Sequence, residues 1–250
     1  MANFDQDRLR SGVGAGTQAT IDQGLRSYML RVYNYMAAGL AITGVVAWVA
    51  FQAAIQQTDT GIVLSPFGEA LFTSPLRWVV IFAPLGLVFY LSARIQSMSV
   101  SAAQISFWIF AGLMGLSLSS VFLVYTGASI TQTFFVTAIA FGSLSLYGYT
   151  TQRDLSAMGS FLFMGLIGII VASLVNIFLH SSALQFAVSV IGVLIFAGLT
   201  AYDTQRIKSM YFEGDGAIVA GKKAIMGALS LYLDFINMFM FLLQFMGNRR

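Results

Sequence analysis

Seven runs of apolar residues divide the chain, at about 34–55, 78–95, 103–124, 131–150, 160–179, 184–205 and 224–246. A helix needs about 20 residues to cross roughly 30 Å of hydrocarbon, and each run approaches or exceeds that length. Backbone in lipid has no water to bond to, so these runs are predicted to be helices. Polar residues are confined to the short segments between them, the longest being about 56–77. The pattern predicts an all-α membrane protein, with a seven-span transmembrane domain over 28–250 and a tail over 1–27. The tail holds the Gly-rich Ser11 to Thr20 and is expected to be mobile. Its polarity sets it apart from a cleaved signal peptide. Pro84 falls inside the second run, where a missing backbone N–H predicts a kink and a candidate hinge. Pro66 and Pro75 lie in the long loop.

Composition strengthens the membrane reading. Of 250 residues 58% are hydrophobic and 9% charged, where soluble domains have about 25% charged; mean hydropathy is +0.80. Cysteine is absent, which excludes disulfides, thiolate nucleophiles and Cys-type zinc sites. The net charge of +3 is spread over loops. No basic groove with interleaved aromatics is visible, so nucleic acid is not an expected partner; the lipid bilayer is.

Charge placement sets the orientation. Alternating the loops puts Arg8, Arg10, Arg26, Arg31, Arg94, Arg153, Arg206, Lys208, Lys222 and Lys223 on one side, and Arg77, Arg249 and Arg250 on the other. The positive-inside rule makes the first side, with the N-terminus, cytoplasmic. An odd number of spans sends the C-terminus across, whereas a re-entrant last helix would return Arg249 and Arg250; both readings stand. Small residues at Gly112, Gly115 and Ser119, and at Gly165, Gly168 and Ala172, suit close helix packing.

Asp234 lies near the middle of the last run. An Asp there costs about 2.5–3.5 kcal/mol on insertion scales. At about 100° per residue, Gly227, Ser230, Asn237 and Gln244 fall within an arc of about 100° that includes Asp234, while Tyr232, Phe235 and Met238 fall outside it. Such a polar stripe is expected to face the bundle interior. Asp203 closes the sixth run beside Arg206 and Lys208, and reads either as an interfacial charge or as a partner of Asp234 on the antiparallel neighbouring helix. Counting residues leaves Asp234 several ångströms deeper, so a meeting would need a recessed vestibule. Two carboxylates that close would share a proton. Arg94 ends the second run on the same side, either as a partner of ionised Asp203 or as a headgroup anchor. His180 has no acidic neighbour and reads as loop polarity, and Asn176 as an interhelical hydrogen bond.

Three blocks carry a resemblance: Ser145 to Ser156 (SLYGYTTQRDLS), Gly198 to Lys208 (GLTAYDTQRIK) and Gly227 to Asn237 (GALSLYLDFIN). From about Tyr28 to Gly247 the chain resembles the bacterial branch of the Bax inhibitor-1 family, also called transmembrane Bax inhibitor motif proteins. The resemblance implies two three-helix groups around a central C-terminal helix, in a bacterial inner membrane. It also implies a pH-sensitive calcium leak channel gated by a di-aspartyl pair, which falls on Asp203 and Asp234, with a latch arginine at Arg94. Ser230 and Asn237 then support the pair, and no cofactor is implied beyond calcium as the transported ion. Calcium prefers about six to eight oxygen ligands; Asp203 and Asp234, with Asn237 and carbonyls, would form a weak, incomplete site. Weak sites suit passage.

Two other functions compete. Intramembrane aspartyl proteases place Tyr-Asp on one helix, as Tyr202-Asp203 does, and Gly-x-Gly-Asp on the next. Positions 231–234 here read Leu-Tyr-Leu-Asp, and no proline follows Pro84 for a Pro-Ala-Leu loop, so no enzyme is expected. Gly115-Leu-Ser117 with His180 makes no better serine protease. The resemblance also implies an alternative, a membrane-embedded regulator that binds an ATP-dependent membrane protease without ion conduction, with the tail before Tyr28 as its grip.

Overall fold

All seven apolar runs are helical, and several helices begin well before the run does. The computed structural model describes the backbone of residues 3–58 and 61–249, and the side chains of 23–56 and 63–249. The chain runs through α1 (Asn3–Ala54), a hairpin of β1 (Ile55–Thr58) and β2 (Gly61–Leu64), and a short α2 (Pro66–Phe72). It continues with α3 (Leu76–Arg94), α4 (Val100–Leu118), α5 (Val121–Val124), α6 (Gly127–Thr150), α7 (Ser156–Leu179), α8 (Ser182–Ser209) and α9 (Ala217–Met246). Among the described residues, seven helical stretches are long and apolar enough to cross a membrane, the first over Gln23–Ala54 and the third over Val100–Val124. Most of the expected mobile tail lies outside the described side chains.

Hydropathy marks where lipid begins, not where a helix does. Before residue 34, α1 carries Tyr28, Met29 and Val32 on a buried face that continues to Met36. Tyr28 packs on Tyr211, with ring centroids 5.7 Å apart. That face repeats at three- and four-residue intervals, so packing on protein extends the helix where lipid does not. Side-chain caps fix other starts: Ser99 accepts from the Ala102 amide at 3.1 Å, and Thr126 and Ser181 cap α6 and α8 in the same way. The third run is broken at Ser119–Ser120, where each hydroxyl donates to a carbonyl three residues earlier and separates α4 from α5. Pro84 is buried within a continuous α3. Pro66 opens α2 behind the Ser65 cap, and Pro75 immediately precedes α3.

The seven spans form two groups of three around α9. In the first group α4 packs on both α1 and α3; in the second α8 packs on both α6 and α7. The middle span of each group, α3 or α7, is the outermost. Three spans are an odd number, so the second group repeats the first in inverted orientation. α9 packs on α1, α4, α6 and α8. Some 61% of its spanning window is buried, against at most 39% for any other span. Glycine lets helices meet closely at a few points. A Cβ on Gly148 would run into the Ala201 carbonyl between α6 and α8, and one on Gly115 would lie 2.7 Å from the Thr43 carbonyl oxygen. Gly165 meets Ile195 of α8, whereas Gly112 and Gly168 face open space.

The two ends of the bundle differ in charge. Tyr28 of α1 meets the loop after α8, Lys222 donates to the Gln96 carbonyl at 2.8 Å, and Gln205 to the Arg153 carbonyl at 2.7 Å. These contacts gather the basic loops at one end. At the other end, Tyr125 and Arg249 form a backbone bridge, and the Thr126 amide donates to the Asn248 carbonyl at 3.2 Å. The last helix therefore crosses, and the C-terminal segment lies opposite the basic end.

Candidate functional site

The contacts between α8 and α9 set the level of the two acids. A Cβ on Gly227 would meet Ile207, Arg206 donates to Ser230 at 3.3 Å, and Ser189 Oγ, which donates to the Gln185 carbonyl, lies 3.3 Å from the Gln244 side chain. In this antiparallel register Asp203 stands opposite Asp234. The expected difference in depth disappears because α9 begins outside the shared register. Its first turns extend beyond the end of α8, where Lys223 pairs with Asp215 at 2.5 Å and donates to the Met210 carbonyl.

Asp234 is 5% exposed, and its Oδ2 has no hydrogen-bond partner among the described residues. The charges acting on it are Asp203 and Arg206. Asp203 is more open and has a partner: its Oδ1 lies 3.3 Å from Arg206 Nη2, one helical turn along α8. Arg206 also lies over the Tyr202 ring, 5.7 Å from its centroid. The cation beside Asp203 is therefore Arg206. Arg94 is exposed at the end of α3, which packs chiefly on α4, and it does not line the acid cavity.

Both acids line a cavity of about 940 Å³ between α7, α8 and α9. Ser230, Asn237 and Arg206 share the lining, with Phe196, Leu199 and Phe241 as apolar wall. Asn237 donates to the Leu233 carbonyl at 2.8 Å, which leaves its side-chain oxygen available. On the α7 side, Phe163 and Met164 line the cavity and remain strongly exposed, so the cleft opens sideways toward lipid. Asn176 accepts from the Ser181 amide at 3.0 Å and ties the turn after α7, rather than bridging two helices. His180 takes a left-handed conformation in that turn, with φ 51°. No cluster of three or more His, Cys, Asp or Glu able to hold a metal occurs among the described residues.

Two buried hydrogen-bonded chains escaped the sequence reading. Tyr33 donates to Ser145 at 2.6 Å, Ser145 to Thr204 at 2.9 Å, and Thr204 to the Thr200 carbonyl at 2.8 Å, which joins α1, α6 and α8. Tyr232 donates to Thr43 at 2.6 Å, and Thr43 to the Ala111 carbonyl at 2.8 Å, which joins α9, α1 and α4. Each hydroxyl uses its single proton, so each chain has one direction. Together they fix α9 and α8 against α1, and so fix the level of the acids.

The family described as "inhibitor of apoptosis-promoting Bax1" matches residues 25–250. The chain belongs to the Bax inhibitor-1 family. It is 50% identical over 230 residues to the inner membrane protein YbhL of Escherichia coli K12, covering 91% of this chain and 94% of that protein. An uncharacterized protein of Rickettsia prowazekii, RP147, is 52% identical over 231 residues, covering 92% and 93%. One from Caulobacter vibrioides is 46% identical over 252 residues, across the whole of both chains. Like the family, this chain is a multi-pass membrane protein.

Proposed function

We propose that this Bax inhibitor-1 family member is a calcium leak pathway whose opening follows protonation of Asp203 and Asp234. The observation that carries the reading is the unpartnered carboxylate of Asp234, level with Asp203 and beside a cavity. A buried acid without a partner is costly to hold, and one in a membrane span points first to an ion or proton path. The family resemblance supplies calcium as the ion. The oxygens at hand are the two carboxylates, the Ser230 hydroxyl and the Asn237 amide oxygen. They fall short of about six to eight ligands, so water completes the shell and binding stays weak enough for release.

Arg206 is a tethered cation that competes with calcium for Asp203. With the pair ionised, Arg206 holds Asp203 and the path is closed. Protonation weakens that contact, so the leak rises as pH falls. Arg206→Gln is expected to raise the leak at pH 8 toward its pH 6 level, as measured by calcium entry into liposomes holding purified protein. The same assay on Arg94→Ala separates the two cations: a comparable rise there would return the latch to Arg94. No flux above empty vesicles at any pH would end the channel reading.

The basic end is cytoplasmic in this proposal, in a bacterial inner membrane. A cysteine placed at Gly216, in a chain without native cysteine, should react with an impermeant thiol reagent only after cells are opened. Labelling in intact cells would reverse the orientation.

A further inference from the structure

The cleft beside the acids has a shape and a charge that calcium passage leaves unexplained. Its α7 wall runs from Gly159 to Ile177, about 27 Å at 1.5 Å per residue. The part walled by three helices spans Phe196 to Arg206 on α8, about 15 Å by the same rise and so about half of a hydrocarbon core of roughly 30 Å. The acids lie at its basic end, and apart from Asn237 and Ser173 apolar side chains line the remainder. Phe163 and Met164 are 60% and 64% exposed along the open side, so an occupant can enter from the bilayer without crossing water.

Charge selects the occupant. Arg206 forms its ion pair with Asp203 and acts on Asp234 only from a longer distance, which leaves Asp234 without an ion-pair partner among the described residues and its Oδ2 without a donor. We propose that the cleft binds a single-chain lipophilic amine dissolved in the membrane, with its ammonium paired with the Asp234 carboxylate where that side chain lines the cavity and its tail lying along α7. A neutral amine meeting a carboxylic acid gives the same pair, since the proton passes from the carboxyl oxygen to nitrogen. A zwitterionic phospholipid is disfavoured because its phosphate would be drawn in beside two carboxylates. A neutral long-chain alcohol fills the apolar wall but forms no ion pair. The site uses the same acid as the calcium reading yet does not depend on conduction, and its test reads binding.

The test is equilibrium binding of radiolabelled dodecylamine to the full-length protein in phosphatidylcholine nanodiscs, against empty nanodiscs. The expected result is one saturable site per chain that excess dodecanol does not displace. Asp234→Asn should weaken binding at least about tenfold, the least expected for loss of one desolvated ion pair. Ser160→Phe, on the α7 rim of the cleft beside Gly159, which faces Tyr202 and so lies level with Asp203, should also abolish it by blocking the approach of the ammonium to the acids. Melting temperature establishes that each variant is folded, and if Asp234→Asn fails to fold, Ser160→Phe decides. Displacement by dodecanol, undiminished binding in either folded variant, or no saturable site would overturn the proposal. Calcium flux in the same preparations is scored separately, so loss of one property leaves the other standing.

Discussion

Asp234→Asn protein in liposomes should leak calcium at a rate that no longer changes between about pH 6 and 8, the range in which functional acids and bases are commonly poised. Asparagine keeps the shape and most of the hydrogen-bonding capacity of the side chain but cannot ionise. Its neighbour Asp203 then has no second carboxylate with which to share a proton, and keeps Arg206 at 3.3 Å. The wild-type leak should rise several-fold across the same interval as pH falls. A variant that retains the full wild-type pH profile would leave a channel in place and remove this pair as its sensor.

The largest expected loss of stability lies away from the acids. Gly148→Leu should destabilise the protein by about 3 kcal/mol or more, at or beyond the upper part of the range for overpacking. The obstruction at this site is the Ala201 carbonyl of the facing helix. Backbone cannot rotate aside as a side chain can, so α6 and α8 must separate. That separation would also strain the Ser145–Thr204 hydrogen bond, 2.9 Å long between the same helices. Gly112→Leu is the control, since a Cβ there meets open space; its effect should stay within about 0.5 kcal/mol. Thermal unfolding in detergent measures both, and equal melting points would show that α6 and α8 do not meet as described.

Much of this architecture is legible in the sequence because lipid imposes one strong rule, that a spanning segment must be apolar and helical. The seven runs follow from that rule, whereas the central last helix is implied by the family resemblance and not by periodicity. The polar stripe does not face the interior as expected: Tyr232, Phe235 and Met238 are the buried residues, while Ser230 and Asn237 are half-buried along the cleft and Gln244 is exposed, because the face of α9 packed on α1, α4 and α6 is the apolar one. Helix ends are less legible. α1 and α9 extend past their apolar runs because they pack on protein, and the Ser119–Ser120 break depends on hydroxyls that hydropathy does not register. Register between helices is harder still. The levels of Asp203 and Asp234 differ on a count of residues, and only the contacts of Ile207 with Gly227 and Arg206 with Ser230 bring them together.

Arg206 shows why site chemistry was only partly visible. It follows Asp203 by three residues and so shares its helical face, yet beside Lys208 it resembles an ordinary interfacial charge. Its role depends on Ser230 of another helix, which sequence spacing does not reveal. Tyr33 and Tyr232 carry a related lesson. Tyr33 stands at the edge of the first apolar run and Tyr232 within the last, and each turns its hydroxyl inward to a Ser or Thr on a different span.

The central claim is that Asp203 and Asp234 act as one unit. The most direct measurement compares the pH dependence of calcium leak in Asp203→Asn, Asp234→Asn and the double variant, reconstituted at equal density. Two groups that share a proton lose the sharing when either is removed. The double variant should therefore match the single variants, all three flat where the wild type is steep. Partial flattening in each single variant, with the two losses adding in the double variant, would show two independent acids and contradict the account.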